Sequence, residues 1–320
     1  MDTLQIAICT DKHFVMPAGV MMYSVCANNM DTKIIFHVIV NSFPEDYKQR
    51  LKRNIAQFKE KTIIFYDLDA KDFTNFQTSS TRSDLSTATY YRLYIPDLLP
   101  QDIDKVIYMD CDIIVRHPLE QLWNTDLEGC AVGAVLEAVR LESRCKRLEY
   151  NPNLGYFNAG ILLYNLSYFR THQILQQSIE LIQKHPEKII DHDQDIMNCL
   201  LAGKVFWLSP QYNLTTHLLT KEYFQTAPNQ AELMEAYKNP TIVHFTCSNK
   251  PWHTLCRHPF RKNYLYYKSQ TLWKDEPLKE TRPLGLRIKK FFSQKLRRLR
   301  LIPQLPPYGR EFVLGLSISE

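Results

Sequence analysis

Along the first two-thirds of the chain, short apolar runs alternate with stretches whose apolar residues recur at helical spacing. Leu4–Cys9, Ile34–Val40, residues 63–66 and Lys105–Met109 read as strands. Between them, residues 18–28, 44–59 and 87–99 carry helical periodicity. Pro17 suits the first position of one helix, and Ser42 is placed to cap the next, which ends on basic residues. Further on, residues 130–136, 160–164 and 241–245 read as strands. Residues 166–184 read as a long helix and 194–202 as a short one stopped by Gly203. This order predicts an α/β layered fold with a largely parallel sheet. The alternation stops near residue 260, and past Pro277 the composition turns basic and apolar. The expected division is a body over 1–260 and a C-terminal region over 261–320. No internal repeat or low-complexity segment occurs.

The C-terminal region has a pattern of its own. Leu284, Ile288, Phe291, Phe292, Leu296 and Leu299 recur at helical spacing, and basic residues fill most other positions up to Pro303. An amphipathic helix of this kind is a membrane-surface signature. Each cation held at an anionic leaflet contributes about 1 kcal/mol. The alternative is a solvated helix packed on the body. Charge changes the weighing. Residues 282–300 hold eight basic side chains and no acid, and without them 31 basic residues face 34 acidic ones. The body is therefore mildly acidic, which argues against a nucleic-acid partner and for a local anionic one. The expected partner is an anionic membrane surface met by residues 282–302.

Composition narrows the chemistry further. Among only nine glycines there is no Gly-rich phosphate loop, so a nucleotide must be held another way. The eight cysteines show no CxxC or Cys/His zinc spacing. The N-terminus has no basic and apolar leader, and no run of about 18 apolar residues exists. The expectation is a cytoplasmic protein attached peripherally to the inner face of the plasma membrane.

The strand over 105–109 delivers Asp110-Cys111-Asp112. In an open α/β sheet, ligands gather outside the carboxyl ends of the strands. Side chains two apart on an extended segment point the same way, so both carboxylates can face one hard cation. Such a cation neutralises a diphosphate leaving group. The same pattern suits a haloacid-dehalogenase-like phosphatase, with Asp110 as nucleophile and acids from Asp191-His192-Asp193-Gln194-Asp195 for its metal. That motif asks for Thr or Val where Ile114 stands. A third reading is an acidic loop capping the next segment. On this motif alone the three stay open.

Five other segments join it in a fixed order. They are Ile8-Cys9-Thr10-Asp11-Lys12-His13, Ala88-Thr89-Tyr90-Tyr91-Arg92-Leu93, Phe157-Asn158-Ala159-Gly160-Ile161, Asp193-Gln194-Asp195 and His244-Phe245-Thr246-Cys247-Ser248-Asn249-Lys250-Pro251-Trp252. With Tyr108-Met109-Asp110-Cys111-Asp112 they resemble the uridine-binding turn, TxYxR helix, FNAG turn, DQD, HxxGxxKPW and LDxD of glycosyltransferase family 8. These are the retaining GT-A enzymes that include bacterial lipopolysaccharide galactosyl- and glucosyltransferases. The resemblance implies a GT-A fold, a Rossmann-like nucleotide-sugar-binding mixed sheet flanked by helices, with the basic amphipathic tail added.

It also implies roles. Asp110, Asp112 and His244 hold a divalent metal, Mn²⁺ or Mg²⁺, since two oxygens and a nitrogen suit a borderline cation better than calcium. Cys9, Thr10, Asp11 and His13 line uridine and ribose. Arg92 and Lys250 meet the donor, Lys250 as a point charge near the diphosphate. Cys111 and Cys247 lie along the nucleotide sugar, and Asn158 and Ala159 beside the transferred sugar. Glu137, Asp193 and Gln194 line the sugar and acceptor pocket, with Gln194 at the anomeric face. Trp252 is either core or a sugar platform. Two departures stand out. Cys247 replaces the Gly of HxxGxxKPW, whose bare backbone could approach the diphosphate. Glu137 stands where some galactosyltransferases carry Asp, which leaves the hexose open.

The implied function is a metal-dependent, retaining hexosyltransferase. It moves galactose or glucose from UDP-galactose or UDP-glucose to a saccharide or lipid-linked glycan. A covalent route needs a carboxylate on the sugar face opposite UDP. Gln194 stands at that position, and its amide is a poor nucleophile. Same-face attack by the acceptor hydroxyl is expected, with Asp193 in reserve. The rivals are the phosphatase and a non-catalytic nucleotide-sugar-binding protein of the same fold.

Overall fold

The computed structural model describes residues 3–68, 87–137, 141–246 and 248–280. Cys247 and the basic tail over 282–302 lie outside the described residues.

The N-terminal half builds one wing of a sheet. Strand β1 (Leu4–Cys9), helix α1 (Val15–Ala27), β2 (Ile34–Val40), α2 (Glu45–Ile55) and β3 (Lys61–Asp67) follow in order. A 3-10 helix over Thr87–Tyr94 leads into α3 (Ile95–Leu98), β4 (Lys105–Met109), β5 (Ile113–Val115) and α4 (Glu120–Trp123). Then come β6 (Val132–Leu136), α5 (Leu141–Leu148), β7 (Phe157–Asn165), α6 (Leu166–Thr171), α7 (Ile174–Lys184) and α8 (Asp193–Leu200). The chain continues through β8 (Val205–Trp207), β9 (Leu214–Thr215), α9 (Lys221–Thr226), α10 (Gln230–Lys238), β10 (Ile242–His244) and α11 (Arg261–Ser269).

The main sheet has the order β3-β2-β1-β4-β7-β6-β8, and a small sheet the order β5-β10-β9. Strand β7 runs antiparallel to both neighbours, β4 and β6, while the other pairs are parallel. The sheet is thus largely parallel, as the alternation predicts, with one reversed strand that makes it mixed. Successive side chains of β1 go to opposite faces: Ile6 and Ile8 join the core under α1, Ala7 the core under α8. No helix among the described residues is long and apolar enough to cross a membrane.

Several local readings change. Residues 87–99 do not form one α-helix. Pro96 has no N–H to give the carbonyl of Arg92, which instead accepts from the Tyr164 hydroxyl at 3.4 Å. The pattern over 166–184 splits at Gln173, which takes a left-handed φ of 51°. Ser42 does not cap α2: it has φ 47°, and Pro44 stands at the cap. Helix α1 opens at Val15, so Pro17 sits in its first turn rather than at its first position. The FNAG residues are the opening of strand β7, not a turn ahead of it.

The described residues beyond 260 pack on the same core. Tyr264 and Trp273 are buried in the cluster that includes α1. The Lys268 ammonium donates to the carbonyls of Trp273 and Glu276, both at 2.6 Å, and folds the chain back. The chain then pairs with the segment after Lys250: Lys279 N–H donates to the Trp252 carbonyl at 2.9 Å, and Thr254 N–H to the Lys279 carbonyl at 3.0 Å. The Trp273 ring lies directly on Gly19, where a β-carbon would sit 2.1 Å from Cζ3. Gly19→Ala must push that ring out of its slot. The expected result in thermal denaturation is a loss of about 1–3 kcal/mol.

Candidate functional site

The site is built at the carboxyl ends of β1 and β4, where β7 lies alongside. The backbone keeps β4 in register past its end, since Asp110 N–H donates to the Gly160 carbonyl at 2.8 Å. The small sheet brings up His244, because β10 pairs with β5 and Phe245 N–H donates to the Asp112 carbonyl at 2.9 Å. Asp110, Asp112 and His244, 134 positions apart in sequence at the extremes, offer ligand atoms all within 4.8 Å of one another. His244 Nε2 lies 3.2 Å from Asp112 Oδ1 and 3.7 Å from Asp110 Oδ2.

The remaining oxygens of both carboxylates are held by protein groups. Asp110 Oδ1 accepts from Arg92 Nη2 at 2.9 Å and from the Tyr108 hydroxyl at 2.7 Å. Asp112 Oδ2 accepts from Lys250 Nζ at 2.5 Å. Each carboxylate therefore clamps one oxygen on a cation and turns the other toward His244. Burial alone would raise the Asp112 carboxyl, but Lys250 and His244 outweigh it and hold it well below the usual carboxylate range. Asp112 stays ionised.

His244 is oriented from behind. Its Nδ1 is 2.9 Å from Asn213 Oδ1. The Asn213 amide donates to Asn158 Oδ1 at 2.9 Å, which also accepts from Gly160 N–H at 3.0 Å. Asn213 Oδ1 is left to accept, so Nδ1 carries a proton and Nε2 is the ring nitrogen that faces the carboxylates. Two carboxylates and an imidazole nitrogen facing one point are a donor set that fits a divalent cation. Asn213 is fully buried, and no spacing in the sequence marks it. Asn213→Leu should leave the fold and weaken divalent-cation affinity by about 10–100-fold, read by calorimetric titration.

Arg92 ties the site together. It is buried with its guanidinium 4.5 Å above the Tyr108 ring. Besides Asp110 it reaches the Ala159 carbonyl at 2.7 Å and Asp193 Oδ2 at 3.0 Å. The other Asp193 oxygen accepts from the Thr89 hydroxyl. Burial pushes the Asp193 carboxyl up to about 6, against the pull of Arg92. Gln194 Oε1 accepts from Ala159 N–H at 3.0 Å and from the Asn158 amide at 3.3 Å. Its Nε2 donates to the Tyr156 hydroxyl at 3.3 Å. The Asn158 amide also donates to buried Glu137, at 3.4 Å.

Cys9 and Thr10 lie at and just past the end of β1, and Asp11 and His13 in the turn beyond. In that turn Asp11 Oδ1 accepts from His13 N–H at 2.7 Å. The Cys111 thiol donates to the Cys9 carbonyl at 3.3 Å and joins this turn to the DxD segment. Burial raises both thiols far above their ordinary range, which leaves them unreactive. Trp252 is core: it is 7% exposed, with Phe14 and Tyr264 against its ring. Asp195 is fully buried, held by Arg147 at 2.7 Å and the Tyr156 hydroxyl at 2.8 Å. It fastens the start of α8 and turns no oxygen toward the cation cluster.

The chain is similar to known proteins. The profile of glycosyl transferase family 8 matches residues 5–256. General stress protein A of Bacillus subtilis is 31% identical over 277 residues, 85% of this chain and 95% of that protein. Lipopolysaccharide 1,3-galactosyltransferase of Salmonella typhimurium is 29% identical, over 85% of this chain and 80% of its own. Lipopolysaccharide 1,2-glucosyltransferase of Escherichia coli is 25% identical, over 88% and 82%. The solved galactosyltransferase LgtC, in complex with donor and acceptor sugar analogs, superposes with a TM-score of 0.75 at 27% identity, covering 89% of this chain and all of that one. The phosphatase reading finds no support in these likenesses. The chain belongs to glycosyl transferase family 8 and is a retaining hexosyltransferase of the GT-A fold.

Proposed function

We propose that the chain moves galactose or glucose from UDP-galactose or UDP-glucose to a lipid-linked glycan, such as a growing lipopolysaccharide, at the inner face of the plasma membrane. The observation that carries the reading is the convergence of Asp110, Asp112 and His244 on one point, backed by Arg92 and Lys250. A divalent cation held there, Mn²⁺ or Mg²⁺, would supply positive charge to a departing diphosphate. The chain's own residues do the rest. Cys9, Thr10, Asp11 and His13 are positioned to bind uridine and ribose, and Lys250 to add charge at the phosphates.

On the sugar side, Asn158, Ala159 and Gln194 form one hydrogen-bonded group. The reserve carboxylate is already engaged: both Asp193 oxygens have partners, Thr89 and Arg92. A nucleophilic Asp193 would have to break that pair. Same-face attack by the acceptor hydroxyl asks for no such change, and Gln194 would position the reacting face. A screen of UDP-sugars with free UDP as readout tests the function. Release should occur with UDP-galactose or UDP-glucose and stop on chelation. No release from any UDP-sugar rejects the reading.

The basic tail supports the membrane half of the proposal, as do the lipopolysaccharide-modifying relatives. Eight cations at about 1 kcal/mol each are ample for reversible attachment to an anionic leaflet. Deleting 282–320 should abolish co-flotation with anionic vesicles yet spare UDP-sugar hydrolysis. Undiminished flotation rejects the tail as the attachment.

A further inference from the structure

Across the sheet, the strand ends carry the site in spatial order. Asp110 follows β4, Asn158 and Ala159 open the antiparallel β7, Glu137 follows β6, and Trp207 ends β8 at the sheet edge. Beyond Glu137 this row runs into a cavity of about 420 Å³, walled by Leu136, Gly155, Trp207, Tyr223, Asn229 and Glu232 among others. Neither the cation cluster nor the nucleotide turn reaches it.

Trp207 leaves 42% of its surface open, which is costly for so large an apolar ring. The ring is nevertheless fixed. Gly155 has φ 74°, and a β-carbon there would lie 2.5 Å from Trp207 Cζ2 and 2.8 Å from Cη2. The Tyr150 hydroxyl holds this turn by donating to the Gly155 carbonyl at 2.5 Å. Opposite stand α9 and α10. Asn229 Oδ1 caps α10 by accepting from Glu232 N–H at 3.1 Å, and its amide donates to Glu232 Oε2 at 3.2 Å. Tyr223 lines the cavity, and burial, with the carboxylates of Glu137 and Glu232, raises its hydroxyl.

We propose that this cavity is an acceptor subsite that seats the saccharide units behind the one receiving the hexose, with Trp207 as platform and Tyr223, Asn229 and Glu232 as hydroxyl partners. The lining decides the ligand class. Sugars offer apolar C–H faces and hydroxyl edges, which match one rigid aromatic face and a few amide, phenol and carboxylate groups. Among the described residues no Lys or Arg lines the cavity, and Glu232 is there, which disfavours a polyanion. A bare hydrocarbon would take water from the Glu232 carboxylate, which Asn229 alone satisfies only in part, and return no hydrogen bond. Position adds the rest. The cavity continues the strand-end row on the side of Glu137 away from the uridine turn, where the acceptor must extend.

The inference rests on the transferase reading, and the test separates the two. The full chain with Mn²⁺ is titrated with UDP, then with lactose, maltotriose and a delipidated lipopolysaccharide core oligosaccharide, followed by saturation-transfer NMR. At least one saccharide should bind. Trp207→Ala should weaken it about tenfold or more, and Trp207→Phe should keep most of the affinity, with UDP affinity equal in all three proteins. Equal saccharide affinity in Trp207→Ala overturns the subsite, as does binding of UDP with none of the saccharides. Failure of the wild type to bind UDP removes the transferase reading and the subsite with it.

Discussion

Asp112→Asn should lower transfer at least about a thousandfold, and Asp110→Asn nearly as much, with both proteins still folded. The size follows from what each oxygen does. Asp112 turns Oδ1 to His244 and holds Lys250 on Oδ2. An amide keeps the shape, loses the charge and must point an NH₂ at one of those partners. The cation site loses a ligand, and Lys250 loses the anion that fixes it. In Asp110→Asn, Arg92 keeps its pairing with Asp193. The stability cost is therefore moderate, about 1–3 kcal/mol, because no buried cation is stranded. Transfer rate, cation titration and thermal melting on the same samples check this. Full activity in either variant sinks the metal-site assignment.

Gly160→Ala should be nearly as damaging although it adds a single methyl. A β-carbon at 160 would lie 2.1 Å from His244 Cε1 and 2.9 Å from Asp110 Oδ2. Neither neighbour can step aside cheaply. His244 is buried and pinned through Nδ1 by Asn213, and β7 is paired on both edges. The imidazole must rotate off the point where three ligands converge, so cation affinity should fall about a hundredfold and activity with it. Gly203→Ala is the matched control. Its φ of 74° costs about 1 kcal/mol, but the nearest atom to the added carbon is 3.8 Å away, on Leu154. It should lose stability without losing cation affinity. Normal cation affinity in Gly160→Ala would show that the site has more room than these distances allow.

Much of this was legible in the residues because the site repeats a local rule. Strands β1, β2 and β4 are apolar apart from Gln5, His37 and Lys105, since they are largely buried on both faces, and their bounds come directly from the runs. The DxD, sitting at the end of such a run, announces itself. The company it keeps does so only through motif order. Asn213 and Tyr156 carry no pattern: each works by hydrogen bonds to residues far away in sequence, and only the folded chain supplies those partners. The same reason hid the reversed strand. Nothing in Phe157–Asn165 distinguishes a buried antiparallel strand from a parallel one, because both faces are covered either way. Helix breaks failed differently. Periodicity ran on through Gln173 and through Pro96, where backbone geometry interrupts what the side chains would allow.

The backbone ladder between Lys279 and the segment Trp252–Thr254 fixes the length of a leash. That segment begins two residues past Lys250, whose ammonium lies on Asp112. The proposed membrane helix begins near residue 282, three residues beyond the ladder, and each residue spans at most about 3.5 Å. A protein moored by that tail would be unable to drift or turn freely above the bilayer. It would hang within about 10 Å of slack from the same loop that carries Lys250. The height at which the enzyme meets its acceptor would then be set by the mooring, and a few Gly-Ser residues inserted after 280 would lengthen the rope without touching the site.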